Sequence, residues 1–188
     1  AIFFFFRREL LDLKNNQKLL TLMIFGSLPL IITGYILYAT GIIYSFRNIE
    51  LIAWTTLFFG IVLYFADKRK FDKKISTNLN LKIILYIGFF QILALVPGVS
   101  RAGITMTAAR IFRFNRFDSG KISFLLSIPA LLGASALSLK DSLEKNLEFS
   151  YLIIIATILS FLFSYFTVRF FLNYINKFSL NIFVLYRI

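Results

Sequence analysis

Four apolar segments, each about as long as a lipid bilayer is thick, alternate with polar loops along this chain. They cover approximately residues 19–39, 49–66, 122–139 and 151–172 of the 188. A transmembrane helix needs about 20 mainly apolar residues, and its backbone groups must form their hydrogen bonds within the segment. The pattern therefore predicts helices that cross a membrane.

The composition agrees with this interpretation and limits the chemistry. Hydrophobic residues make up 59% of the chain, against roughly 45–50% in a soluble domain. The net charge of +12 lies mostly between the apolar segments, which is typical of membrane topology, so we expect membrane lipids and no nucleic acid as partners. The chain has no cysteine and no histidine, which excludes disulfides and thiolate metal sites. Any chemistry must use carboxylates, hydroxyl groups and arginine.

A dense basic cluster at residues 67–74 predicts the orientation of the helices. Positively charged loops stay on the cytoplasmic side of a membrane. This rule places residues 67–74 and the basic residues 7–18 inside, and the loop near residues 40–47 outside.

A shorter apolar segment, residues 83–96, ends at Pro97 and Gly98. Its 14 residues give about 21 Å of helix, whereas the hydrocarbon layer is roughly 30 Å thick. Irregular backbone at that depth is tolerated only where protein encloses it or where it lines a polar cavity. We therefore expect this helix to stop part way and a second short leg to follow over about residues 104–112.

The loop that follows this pair is rich in arginine and lysine (residues 110–121). A re-entrant pair returns that loop to the cytoplasmic side, whereas a spanning pair would place it outside against the charge rule. The predicted fold is thus an all-α, polytopic membrane helical bundle with a broken or re-entrant helix pair around residues 97–103. We predict a single transmembrane domain over residues 1–188.

The turn between the two legs carries the candidate functional residues, which are Arg101, Ser100, Thr105, Gly98 and Gly103. An arginine at the centre of a bilayer costs roughly 2.5–3.5 kcal/mol, so its presence indicates something to bind. A helix N-terminus favours a phosphate or carboxylate, and a guanidinium group matches phosphate oxygens. Two interpretations do not require a ligand. The Pro97-Gly98 pair could be only a kink at a helix end, and the arginine side chain could reach the membrane interface. The combination of these residues within a short stretch favours an anion site.

Residues 91–105, Gln-Ile-Leu-Ala-Leu-Val-Pro-Gly-Val-Ser-Arg-Ala-Gly-Ile-Thr, carry a family resemblance together with residues 123–130, Ser-Phe-Leu-Leu-Ser-Ile-Pro-Ala. This pattern resembles the second signature of the undecaprenyl-diphosphate phosphatase family, the bacitracin-resistance proteins of bacterial membranes. Residues 3–10, 26–34 and 183–188 resemble other parts of the family. The resemblance therefore covers essentially the whole chain.

The resemblance implies hydrolysis of a C55 polyprenyl diphosphate to the monophosphate carrier lipid and inorganic phosphate, for cell-wall synthesis in the bacterial inner membrane. On this view Arg101 binds the diphosphate, and Ser100 and Thr105 are hydrogen-bond donors or candidate nucleophiles. Gly98 and Gly103 let the backbone approach the substrate. A divalent cation, Mg²⁺ or Ca²⁺, is expected in the full-length parent, and a homodimer is left open.

The sequence departs from the family pattern in two ways. The first family signature, a glutamate pair four residues apart followed by a Pro-Ile-Ser-Ser-type turn and a histidine, is absent, and with it the expected metal ligands. Glu9, Glu50, Glu144 and Glu148 fall in predicted loops or at helix ends. Ala102 stands where the family usually has a second serine. We therefore interpret the chain as a fragment without its N-terminal part and its last helix, inactive by itself.

A second function class uses the same site without cleavage. A polyprenyl-phosphate flippase or an anion transporter would also bind an anion at Arg101, and broken helices are common in transporters. A carboxylate pair discriminates between the two classes, because a hydrolase needs one and a carrier does not. A scaffold without a ligand would leave the arginine unexplained.

Overall fold

The computed structural model describes residues 1–42, 46, 48–68, 70–144 and 151–187. The regular structure in these ranges is helical apart from one isolated β-bridge, which confirms the predicted all-α class. The helices in chain order are α1 (Ile2–Phe5), α2 (Arg7–Leu11), α3 (Leu13–Ala39), α4 (Ile49–Asp67), α5 (Ile75–Asn78), α6 (Leu81–Ile92), α7 (Arg101–Ile111), α8 (Arg116–Glu144), α9 (Tyr151–Lys177) and α10 (Asn181–Leu185).

Within the described ranges, four helices are long and apolar enough to cross a membrane, as predicted. They are Asn16–Ala39 of α3, Ile49–Asp67, Arg116–Lys140 of α8 and Tyr151–Lys177. Helix α8 begins several residues before the predicted apolar segment because Asn115 caps it, with its side-chain oxygen accepting a hydrogen bond of 2.8 Å from the backbone N–H of Asp118. A polar cap of this kind extends a helix beyond its apolar residues.

The broken helix pair consists of α6, a 3₁₀ turn over Leu93–Leu95, and α7. The second leg begins at Arg101, three residues earlier than the sequence predicts. Ser100 is the reason, since its Oγ accepts a hydrogen bond of 3.3 Å from the backbone N–H of Gly103 and so caps the helix. Arg101 therefore lies in the first turn of α7 and not in an irregular loop.

The two legs of the pair begin and end at the same end of the bundle. The backbone N–H of Lys73, before α6, donates to the carbonyl of Arg113 at 3.2 Å, and the N–H of Asn115 donates to the carbonyl of Lys73 at 3.1 Å. The described residues of the basic segments 67–74 and 110–121 therefore lie together, and we call this the basic end. Re-entry of this hairpin into a membrane stays a prediction.

The tip of the hairpin packs against the middle of α4. Its contacts there are the hydroxyl groups of Thr55 and Thr56. Thr56 lies about 11 residues before Asp67, or roughly 17 Å along the helix axis. The hairpin therefore extends only part of the way along α4 from the basic end.

Helices α3 and α6 approach each other so closely that their backbones touch. A Cβ atom on Gly88 would overlap the carbonyl oxygen of Gly26. Contacts between small residues are the usual way in which membrane helices pack tightly. The same face of α6 buries Ile84 and Ile87 against the core, so the first leg of the hairpin is fixed along α3.

A buried ion cluster holds the basic end together. Asp67 is 1% exposed, and one of its carboxylate oxygens lies 3.1 Å from Nε of Arg110 and 2.8 Å from Nε of Arg116. Burial lowers the pKa of Arg110 from its ordinary value, and the neighbouring Asp67 carboxylate acts in the opposite direction. The cluster joins the end of α4 to the end of α7 and the start of α8.

Candidate functional site

The turn before α7 has an unusual backbone conformation at two positions. Gly98 has φ 89° and Ser100 has φ 66°. A Cβ atom on Gly98 would overlap Oγ1 of Thr55, so this position requires glycine for space as well as for its φ. Ser100 has no such freedom, and a serine in the left-handed region must be held there by its surroundings.

Ser100 is exposed and lines a cavity of about 790 Å³ between the hairpin tip and helices α4, α8, α9 and α10, which we call the Ser100 cavity. Its wall includes Gly98, Ala102 and Gly103 from the turn and from the start of α7. Ala102 is exposed there, and its replacement of a family serine stays a prediction. Much of the remaining wall is apolar, including Leu63, Met106, Phe124, Phe171 and Phe183.

Arg101 lines a different cavity of about 550 Å³, the Arg101 cavity, between α3, the 3₁₀ turn that follows α6, and α8. Its Nη1 lies 3.4 Å from the carbonyl oxygen of Ser127. In the described part of the chain, no carboxylate lies within ion-pair distance of this guanidinium group. The rest of the wall is mostly aliphatic or aromatic, and it includes Leu30, Gly34, Tyr35, Leu95, Ala130 and Ala134.

The structure therefore separates two side chains that the sequence predicts to act side by side. Ser100 and Arg101 are neighbours in the chain, but each lines a different cavity. Ser100 is the N-cap of α7 with a left-handed φ of 66°, whereas Arg101 is its first helical residue, so the helical spacing of side chains does not apply between them.

Thr105 is 1% exposed and lies one turn further along α7. Its hydroxyl oxygen is 2.7 Å from Oγ of Ser123 and 2.8 Å from the carbonyl oxygen of Arg101. It lines neither the Ser100 cavity nor the Arg101 cavity. In this structure Thr105 connects α7 to α8, and its direct part in catalysis stays a prediction.

The sequence gives no role to two polar residues, Arg187 at the turn and Gln91 on the buried face of α6. Arg187, just after α10, reaches the turn and donates from Nη2 to the carbonyl oxygens of Gly98 and Val99, both at 2.8 Å. Gln91 is fully buried, and its amide nitrogen and oxygen form no hydrogen bond within the described residues. Sequence reasoning missed Arg187 because 89 positions separate it from Gly98, although a lone arginine among apolar residues near the C-terminus was a usable signal.

The described residues do not fit a divalent cation. They contain no group of three or more acidic, histidine or cysteine residues that could hold a metal ion, whereas Mg²⁺ and Ca²⁺ need several oxygen ligands. Glu9 forms an ion pair with Lys121 at 2.6 Å, and Glu50 is exposed in the first turn of α4. Glu144 ends α8, and Glu148 lies outside the described residues.

Fold and site together define a polytopic helical membrane protein in which an arginine begins the second leg of a helical hairpin. The family profile described as "Bacitracin resistance protein BacA" matches residues 1–188. The undecaprenyl-diphosphatase of Pelagibacter ubique (strain HTCC1062) is 69% identical over 189 residues, which cover 100% of this chain and 74% of that protein. The undecaprenyl-diphosphatase of Elusimicrobium minutum (strain Pei191) is 38% identical over 197 residues, with the same coverage of 100% and 74%. The chain belongs to the BacA family, which confirms the resemblance seen in residues 91–105.

Proposed function

We propose that this protein hydrolyses undecaprenyl diphosphate to undecaprenyl phosphate and inorganic phosphate. The relatives described above are named for this activity, and one of them is 69% identical over the whole chain. The observation that carries the proposal is the position of Arg101. Its guanidinium group stands at a largely apolar cavity without a carboxylate partner among the described residues. Such a place suits an anionic headgroup with a long apolar tail.

The proposed chemistry depends on how the protein stabilises the negative charge that develops during phosphoryl transfer. Water supplies the oxygen that bonds to the terminal phosphorus, either directly or after attack by Ser100, and its protons pass to phosphate oxygens or to solvent. The anhydride P–O bond breaks, and undecaprenyl phosphate leaves with the bond electrons. Because the transition state spreads negative charge over the phosphoryl oxygens, positioning and electrostatic stabilisation supply most of the rate acceleration. Arg101 would bind these oxygens through its planar fork, and the first backbone N–H groups of α7 would add donors.

Ser100 and Thr105 have different roles in the proposed reaction. Ser100 is exposed at the N-terminus of α7, where its hydroxyl group can donate to a phosphate oxygen or act as a nucleophile. Thr105 is buried against Ser123, so its contribution would require a rearrangement at the start of α7 or would pass through the packing of α7 on α8. Gly98 and Gly103 line the Ser100 cavity, and in the proposal they remain the positions at which the backbone approaches the substrate.

The proposed function also implies a cell location and partners. We place the protein in the bacterial inner membrane as a multi-pass protein, where its product serves as the carrier lipid for cell-wall synthesis and its activity would confer bacitracin resistance. Dependence on Mg²⁺ or Ca²⁺ and a homodimeric state remain predictions. Chelator titration and the mass of the detergent-solubilised particle test them.

Release of inorganic phosphate from undecaprenyl diphosphate tests the proposal directly. The protein, expressed from its complete coding sequence and purified in detergent, is expected to release phosphate. Arg101→Ala should reduce the rate by about a hundredfold or more, as removal of a transition-state donor does. Arg101→Lys should also lose rate, because a lysine keeps the charge and loses the fork.

Arg169→Ala is the matched control, since Arg169 is an exposed arginine on α9. It should retain the unmodified rate. Unchanged phosphate release by Arg101→Ala would contradict the assignment of Arg101. Binding of the lipid without any release of phosphate by the unmodified protein would contradict hydrolysis and favour a carrier.

A further inference from the structure

We propose that Arg187 is a positioning residue that holds Ser100 in its active conformation. It would do so by binding the two carbonyl groups that precede Ser100 in the turn. This inference rests on the hydrolase function proposed above, and it adds a residue from the far end of the chain to the machinery of that reaction.

The contacts of Arg187 are concentrated on the turn. Nη2 donates to the carbonyl oxygens of Gly98 and Val99, both at 2.8 Å. Nη1 lies 2.8 Å from the position that a Cβ atom on Gly103 would take, and Oγ of Ser100 lies 3.3 Å from the same point. The guanidinium group and the Ser100 hydroxyl group thus converge at the first turn of α7.

Ser100 needs such an external restraint. Its φ of 66° lies in the left-handed region, which is unfavourable for a serine. A residue persists in such a conformation only when the surrounding structure over-determines it. The hydroxyl groups of Thr55 and Thr56 hold the carbonyls of Pro97 and Gly98 from the α4 side, at 2.7 and 3.2 Å. Arg187 adds the restraint on Val99, the residue immediately before Ser100.

The same contacts argue that Arg187 acts through the turn and does not bind substrate directly. Carbonyl oxygens that faced a diphosphate would repel its oxygens, and a charged donor on both of them removes that repulsion. In the described part of the chain Arg187 has no carboxylate partner, so the turn is its principal polar contact. The start of α10 is in turn fixed, since the N–H of Leu180 donates to the buried Asp67 carboxylate at 3.0 Å.

A double-mutant cycle between Arg187 and Ser100 tests the proposal. The kcat and KM for undecaprenyl diphosphate are measured for Arg187→Ala, Ser100→Ala and the double variant, with Arg169→Ala as an exposed arginine control. Arg187→Ala should lower kcat about tenfold or more, because misplacement of a reacting group by about 1 Å has effects of this size. KM should stay within about twofold. In the Ser100→Ala background the same change should lower kcat less than about twofold, since coupled residues are not additive.

Arg187→Lys separates positioning from a failure to fold. A lysine can still donate to one carbonyl, so this variant should recover a large part of kcat at the unmodified KM. Melting curves in detergent accompany every variant, and Arg169→Ala should match the unmodified protein throughout.

Three results would overturn the inference. A rise in KM at constant kcat would make Arg187 a direct substrate ligand, and losses that multiply in the double variant would show that it acts independently of Ser100. An Arg187→Lys protein that melts normally and is as inactive as Arg187→Ala would also contradict it. An unmodified protein that releases no phosphate would instead remove the proposed function, so the two failures are distinguishable.

Discussion

The backbone N–H of Leu180 donates a hydrogen bond of 3.0 Å to the carboxylate of Asp67, although 113 positions separate the two residues. The same carboxylate binds Arg110 and Arg116. One buried side chain therefore joins the ends of α4 and α7 to the starts of α8 and α10. It fixes both the base of the hairpin and the segment that delivers Arg187 to the turn.

Asp67→Asn should destabilise the protein strongly. Removing one partner of a buried ion pair leaves uncompensated charge and costs about 3–5 kcal/mol. Thermal melting in detergent should show a large shift. Glu9→Gln is the control, because the Glu9 carboxylate in its pair with Lys121 is 37% exposed, and pairs of this kind contribute about 1 kcal/mol or less. Equal shifts for the two variants would contradict the role of the cluster.

Gly98→Ala should destabilise the protein more than Gly41→Ala. Both glycines have positive φ, 89° and 74°, so each alanine would carry a backbone cost of about 1–2 kcal/mol. Only the Cβ atom at Gly98 would also overlap Thr55, whereas nothing lies within 4 Å of the one at Gly41. Overpacking adds about 1–3 kcal/mol. Melting temperature and phosphate release measure the two effects, and similar losses at both positions would disprove the steric argument.

Labelling of single cysteines tests whether the hairpin is re-entrant. The chain has no cysteine of its own, so Lys70→Cys, Arg113→Cys and Thr40→Cys can be made in a background without other cysteines. A membrane-impermeant maleimide should label Thr40→Cys in right-side-out vesicles, and should label the other two only after permeabilisation. Lys70 and Arg113 flank the hairpin, so their labelling from opposite sides would mean that the pair spans the membrane.

The long helices were predictable from sequence because a bilayer imposes length and composition on every segment that crosses it. The early stop of α6 was predictable for the same reason, since 14 apolar residues before Pro97 are too few. The start of α7 was not, because it depends on Ser100 in a conformation that serine rarely adopts. Contacts across the chain, such as those from Arg187 to Gly98, leave no local pattern in a sequence.

The sequence predicts candidate site residues by type, and their roles stay a prediction, whereas their arrangement could not be predicted. Ser100, Arg101 and Thr105 were recognised from their place in an apolar segment. Their division between two cavities and a buried contact to Ser123 depends on the left-handed backbone of Ser100 and on the packing of α7 against α8. These features depend on the direction in which each side chain points. Residue spacing determines that direction only when the first residue of the helix is known.

The hydrogen bonds around the turn also determine which ions it can attract. The carbonyl oxygens of Pro97, Gly98 and Val99 all have donors, from Thr55, Thr56 and Arg187. The N–H groups of Arg101 and Ala102, in the first turn of α7, have no preceding helical turn to accept from them. A cation entering the turn would meet oxygens that are already engaged, whereas an anion would meet donors. The hydrogen bonds that fix the turn thus leave the N–H groups at the start of α7 as its available polar groups, and this arrangement favours an anion over a cation.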